Sequence, residues 1–254
     1  MTENKYAKIL VLGAGPVVIG SSSEYDYSAV SVCRALKEEG ISVVSVNSNP
    51  DTIMTDKNVA DTVYIEPLNG ETVKKIIEKE IPDAIIGTTG GEAGLEICLE
   101  LLQNGYLDEH GTKLLGVKPE TIKAIRNEQA LRDTLENVGE PYVSAKVLPT
   151  DAECVTFAGE IGFPVLISPA FTPDFSEPIR CENANDILSG FGSCAERSLV
   201  NEVYVRKCVD DYKEVEFVAM RDSFGNCISV SSTENIDSVG IHSGDSIVVI
   251  PAQT

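Results

Sequence analysis

From Lys8 to Gly116 short apolar runs alternate with longer amphipathic ones: KILVLG, then residues 26–40, SVVSVN, TVYIEP, residues 71–79, DAIIG, residues 93–103 and KLLGV. Continuous short apolar runs read as strands buried on both faces, as in a parallel sheet. The amphipathic runs between them supply the crossover helices that parallel neighbours require. The spacing therefore predicts an α/β unit with helices on both faces of a parallel sheet.

Pro119 opens a different region, and a domain seam is expected at Gly116 to Pro119, separating residues 1–118 from 119–254. PETIKAIRNEQALRDTLENVG reads as two helices closing at Gly139, and Asp151 to Ile161 as another, capped by Asp151 or Thr150. Beyond residue 200 the pattern changes to EVYVRKC, KEVEFVAMRD, NCISVSSTEN and SIVVIPA. The second and third of these alternate apolar and polar residues across a turn containing Gly225, the signature of an antiparallel hairpin.

The net charge of −20 argues against a nucleic acid or an anionic membrane as partner, because both require a basic face. No run approaches the roughly 18 apolar residues of a membrane helix, and MTENKYAKILVLG lacks the order of a signal peptide, so a cytoplasmic location is expected. The seven cysteines form no C-x-x-C pair, and several sit in apolar runs as structural thiols. The only histidines are His110 and His242, which leaves little base for thiol catalysis.

Three loops follow predicted strands and are expected on one edge of the sheet, where open parallel sheets bind ligands. They carry Gly13 and Gly15, then Asn47 and Asn49, then Gly90 and Gly91. A dinucleotide fingerprint would need a glycine at position 18 and an acid at position 47, where Val18 and Asn47 stand, so a nicotinamide or flavin cofactor is not expected. Ligand contact and plain turn geometry are both open readings of these loops. The same holds for His242 in SVGIHSGDS and for Glu214 and Glu216 at the start of the alternating strand.

Taken together, VLGAGPVVIG, EYDYS, VNSNPDTIMTD, GTTGGEAGLEICLEL and STENIDSVGIHSGDSIVVIPAQT resemble the carbamoyl-phosphate synthetase large-chain family, in its amino-terminal half. The likeness runs in one register from about Lys8 to Thr254. It implies a Rossmann-like pre-ATP-grasp domain followed by an incomplete α+β ATP-grasp module. It also implies ATP and magnesium as cofactors, the activation of bicarbonate as carboxyphosphate, and a place in pyrimidine and arginine biosynthesis.

By the same resemblance Gly240, Ile241 and His242 line the nucleotide site and Glu214 contacts the ribose region. Other family positions are changed: Glu128 and Ser168 stand for arginines, Lys207 for a glutamate at the adenosine end, and Pro173, Asp174 and Phe175 for a Met-Gly-Gly phosphate loop. Proline has no N–H and phenylalanine blocks close approach, so that loop makes a poor phosphate cradle. The family's magnesium ligands fall after PAQT, where the sequence ends, so no metal site is expected. Two functions stay open: a part of an ATP-dependent ligase that is not catalytically self-sufficient, or a non-catalytic relative acting as an interaction or small-ligand module. Either way a companion chain or a homo-oligomer is expected to complete an open sheet edge.

Overall fold

A computed structural model describes residues 6–16, 23–126, 128–170, 178–198, 200–210, 212–222, 224–239 and 246–254. The chain packs as two compact units, and the division falls between Arg126 and Asn127.

In the first unit β1 (Lys8–Leu12), β2 (Ser42–Asn47), β3 (Thr62–Ile65), β4 (Ala84–Ile86) and β5 (Lys113–Leu115) form one parallel sheet in the order β3-β2-β1-β4-β5. The helices are α1 (Ser23–Glu38), α2 (Gly70–Glu80), α3 (Gly91–Gln103), α4 (Tyr106–Glu109) and α5 (Pro119–Arg126). Alternate residues of a strand point to opposite faces, and the core divides accordingly. Leu10, Leu12, Val44, Val46 and Ile85 pack with Val73 and Ile77 of α2 and Cys98 and Leu101 of α3. Ile9, Val11 and Val43 pack on the other face with Ala29, Val30 and Cys33 of α1 and with Met54. The alternation in the sequence thus becomes the expected doubly covered sheet. Ile122 of α5 is fully buried, and α5 packs with this unit, whereas the sequence sets the seam before it.

The second unit begins with α6 (Glu128–Val138), followed by β6 (Ala145–Leu148), α7 (Asp151–Ile161), β7 (Val165–Pro169), β8 (Ile179–Cys181), α8 (Ala184–Arg197) and β9 (Val203–Lys207). The strands form an antiparallel sheet in the order β6-β9-β7-β8, with α7 and α8 over the face that carries Val165, Ile167, Val203 and Val205. Thr150 is the cap of α7: its Oγ1 accepts from the Glu153 amide at 3.3 Å and donates to the Glu153 carboxylate at 2.9 Å. Helix α8 has no counterpart among the sequence-based expectations. Its core side is built from Ile187, Gly190, Cys194 and Ala195, and small residues there admit β7 closely: a Cβ on Gly190 would stand 3.0 Å from Ile167 Cδ1.

The last strands, β10 (Val215–Arg221), β11 (Cys227–Asn235) and β12 (Val248–Val249), form an antiparallel sheet in that order. Strands β10 and β11 pair across the turn containing Gly225, as the alternation predicts, with a bulge at Val218/Ala219. Five of the seven cysteines are buried, and burial pushes the Cys98 and Cys154 thiols up to about 12. Cys227 is exposed. Among the described residues no helix is long and apolar enough to cross a membrane.

Candidate functional site

The three loops expected to share an edge of the parallel sheet do meet there, beside β1, where the strand order reverses direction and such folds form their ligand crevice. Gly13 N donates to Val46 O at 2.8 Å, and Thr89 Oγ1 donates to Leu12 O at 2.7 Å. Gly13 and Gly90 permit the approach: a Cβ on Gly13 would lie 2.5 Å from Asn47 Nδ2, and one on Gly90 would lie 2.9 Å from Gly13 O. Gly91, at φ +57°, opens α3 against the ring of Tyr25, and Gly15 lies against Ser48 and Leu68.

The polar side chains of this crevice act mainly on their own loop. Asn47 is 2% exposed; its Nδ2 donates to Thr52 Oγ1 at 3.3 Å, and its Oδ1 accepts from the Asn49 amide at 3.1 Å. Asn49 repeats the turn by accepting from the Asp51 amide at 3.0 Å. Asp26, which sequence reasoning does not single out, reaches from α1 to accept from the Ile53 and Met54 amides at 2.9 and 3.2 Å. Its signal was an acid in the first turn of a helix, here satisfying backbone donors of a neighbouring loop. The result is a rigid, internally bonded rim built from Gly13, Asn47, Asn49 and Gly90.

In the second unit Ser168 lies half-buried on β7, paired with Tyr204, on the sheet face opposite Ile167 and Val205. Lys207 ends β9 and turns its ammonium onto main-chain oxygens, donating to Gly162 O at 2.8 Å and Phe163 O at 3.2 Å. Glu214 is half-buried just before β10, and its carbonyl accepts from Asn235 N at 3.0 Å; Glu216, inside β10, is exposed. Glu234 is the one nearly buried carboxylate of that sheet. It accepts from Gln253 N at 2.8 Å and Lys213 Nζ at 3.0 Å, and these contacts, the Gln253 amide first, hold its pKa below the ordinary value. Gly240, Ile241, His242, Pro173, Asp174 and Phe175 lie outside the described residues, as does the side chain of Glu128.

The family comparisons divide where the structure does. Residues 5–124 match the carbamoyl phosphate synthase preATP-grasp domain, and residues 127–254 match the ATP binding domain of the carbamoyl-phosphate synthase L chain. The carbamoyl phosphate synthase large chain of Agathobacter rectalis is 48% identical over 252 residues, covering 99% of this chain and 24% of that protein. That of Lachnoclostridium phytofermentans is 47% identical over the same length, so the chain spans about a quarter of these curated relatives. Among solved structures, the biotin carboxylase domain of Hydrogenobacter thermophilus 2-oxoglutarate carboxylase, in complex with MgADP, ADP and bicarbonate, superposes with a TM-score of 0.68 at 20% identity over 90% of this chain and 50% of that one. Campylobacter jejuni biotin carboxylase gives 0.69 at 19% identity over 91% of this chain and 51% of that one. The structural likeness carries the fold, and the sequence matches carry the family: the chain belongs to the carbamoyl-phosphate synthase large-chain family.

Proposed function

We propose that this chain forms part of an ATP-dependent ligase of the type that activates bicarbonate as carboxyphosphate, and that alone it is not catalytically self-sufficient. The observation that carries the reading is the match of both units to that family; the resemblance adds that cations are replaced where the family meets phosphate. Ser168 offers a hydroxyl in place of a guanidinium, and Glu128 stands where a second arginine belongs. Lys207 does not compensate, because its ammonium is engaged by the Gly162 and Phe163 carbonyls.

Two unit charges about 6 Å apart at an effective dielectric of about 20 interact by about 3 kcal/mol, so one exchange of attraction for repulsion shifts binding by up to about 6 kcal/mol before screening. By family position the residues at the phosphates therefore fit a polyphosphate poorly, and no catalytic step there is assigned to this chain. Glu214 is suited to the adenosine end, with Gly240, Ile241 and His242 as its partners by family position. Calorimetric titration of MgATP into the isolated chain should give no saturation below about 1 mM. Bicarbonate should elicit no ADP release. Glu128→Arg with Ser168→Arg should strengthen ATP more than adenosine. Micromolar, magnesium-dependent ATP binding by the unmodified chain would overturn the reading.

A second reading, a non-catalytic interaction or small-ligand module, is favoured by the first-unit crevice, whose rim is set by its own hydrogen bonds. Both readings call for a companion chain or second copy over the β10 to β12 sheet, where Phe217 is 72% and Met220 60% exposed. Light scattering of the isolated chain should show association, and a monomer at high concentration would remove this part of the proposal. Bicarbonate-dependent ATP hydrolysis on adding such a companion would select the ligase reading.

A further inference from the structure

The small antiparallel sheet of the second unit ends in an open strand edge. Strand β6 is bonded only to β9, and Lys207 N donates to Ser144 O at 2.9 Å. Hydrogen-bonded positions alternate along an antiparallel ladder, so Lys146 and Leu148 turn their peptide groups to β9. Those of Ala145 and Val147 point outward, with no strand across from them. Residues 144–147 line a groove of about 530 Å³, so the edge itself opens into it. Phe157, Glu160 and Ile161 of α7 wall the groove on one side, and Arg132 of α6 with Tyr142 on the other. The two walls flank opposite faces of the sheet. Lys146 shares the α7 face with Val205, whereas Tyr204, on the other face, lines a neighbouring cleft with Leu131, Leu135 and Tyr142. A strand laid along β6 would place alternate side chains against α7 and against Tyr142.

Charge and symmetry select the occupant. Arg132 bonds Glu136 through Nε at 3.1 Å, lies 4.9 Å from the Tyr142 ring centroid and has Asp133 acting on it as well, so it is not open to a further anion. With Lys146 and Glu160 added, the rim sets two cations against three carboxylates, in a chain of net charge −20. An anionic segment is repelled and a cationic one drawn in. A second copy carries the same −20, and its β6 fits poorly for a further reason. In the two-fold register that uses the outward groups of both Ala145 and Val147, Lys146 would stand opposite its own counterpart, and like charges directly opposite are destabilising. A lysine within an edge strand is a common guard against such self-pairing. Sliding the register toward the end of the strand brings in Pro149, which has no N–H to donate.

We propose that the edge of β6 is a docking site for an extended, lysine-bearing segment of another protein, which adds to the sheet through the outward peptide groups of Ala145 and Val147. Its apolar side chains lie against Phe157, Ile161 and Tyr142, and its lysines meet Glu160 and the field of the whole chain. The site makes no use of the nucleotide reading and is tested apart from it. The probe is an acetylated and amidated heptapeptide of alternating valine and threonine with a lysine at each end, titrated into the full chain by amide NMR at low ionic strength. Saturable shifts of the Ala145 and Val147 amides are expected, with slower hydrogen exchange at both. A peptide N-methylated at every valine and threonine keeps the side chains and charge but loses the backbone donors, and should bind at least about tenfold more weakly. Glutamate in place of both lysines should weaken binding at least about threefold. Val147→Pro removes one outward N–H at an edge position that tolerates proline, and should weaken the lysine peptide at least about threefold. Absence of saturation up to about 2 mM peptide overturns the proposal, as do shifts that leave β6 untouched. So does equal binding of the N-methylated or the glutamate peptide, or a folded Val147→Pro protein that binds as tightly as the parent. If that variant fails to fold, the comparison of the three peptides decides.

Discussion

Strand β1 and strand β10 are both apolar in sequence and have opposite fates. Leu10, Val11 and Leu12 are wholly buried, whereas every residue of β10 is exposed, Phe217 to 72%. The contrast follows from topology. A parallel neighbour demands a crossover, and the crossover helices α1, α2 and α3 cover the sheet as the chain returns. An antiparallel hairpin needs only a turn, so β10 and β11 pair without bringing any covering element with them. Apolar alternation specifies a strand; the connection decides what buries it.

The largest test of this contrast is a pair of truncations. Leu10→Ala should cost about 3 to 5 kcal/mol in the unfolding of the first unit, since helices on both faces prevent the site from collapsing. In the second unit, Lys207→Met should cost about 1 to 3 kcal/mol by leaving the Gly162 and Phe163 carbonyls without their charged donor. Denaturant unfolding checks both. A Leu10→Ala loss below that of Lys207→Met would break the argument that helices on both faces keep the site around β1 from collapsing.

Phe217→Ser should change stability by no more than about 0.5 kcal/mol, because the side chain is already in water. The same change should suppress self-association, read by light scattering. Together with a stability loss near that of Leu10→Ala, it would mean that β10 is buried in solution after all.

The parallel sheet and the hairpin were legible because their signals are local: period, turn residues and strand length all lie within short windows. Helix α8 was not, because Gly190, Gly192, Ser189 and Ser193 read as loop while the buried positions Ile187, Gly190, Cys194 and Ala195 keep helical spacing with small residues. Those glycines and serines are tolerated because the helix packs closely on β7, a tertiary fact. Of the crevice, the meeting of Gly13, Asn47 and Gly90 was legible from their places just after predicted strands of a parallel sheet. That Asn47 and Asn49 face their own loop was not, since a side chain able to bind a ligand is equally able to bind the backbone two residues on.

The smallest expected effect separates the two regions by pH. Glu80 accepts from the Tyr64 hydroxyl at 2.7 Å and pairs with Lys8 at 3.2 Å; these contacts, the tyrosine first, hold its carboxyl below the ordinary 4.5. Asp83 accepts from the Lys8 and Ala7 amides at 2.9 and 2.7 Å, which hold it below 3.8. A carboxyl depressed in the folded state stabilises above its unfolded value and loses that contribution as pH falls through the folded one. The first unit should therefore weaken as pH drops from about 4.5, and Glu80→Gln or Asp83→Asn should flatten that dependence. Protonating the many solvated acids acts the other way by relieving repulsion, so only the difference between parent and variant isolates the effect. Glu216→Gln on β10 provides the control for the loss of one solvated charge, because its exposed carboxylate has no hydrogen-bond partner among the described residues. If Glu80→Gln and Glu216→Gln shifted the acid limb equally, general charge rather than the tie at the start of β1 would govern it, and the two regions would not differ in this respect.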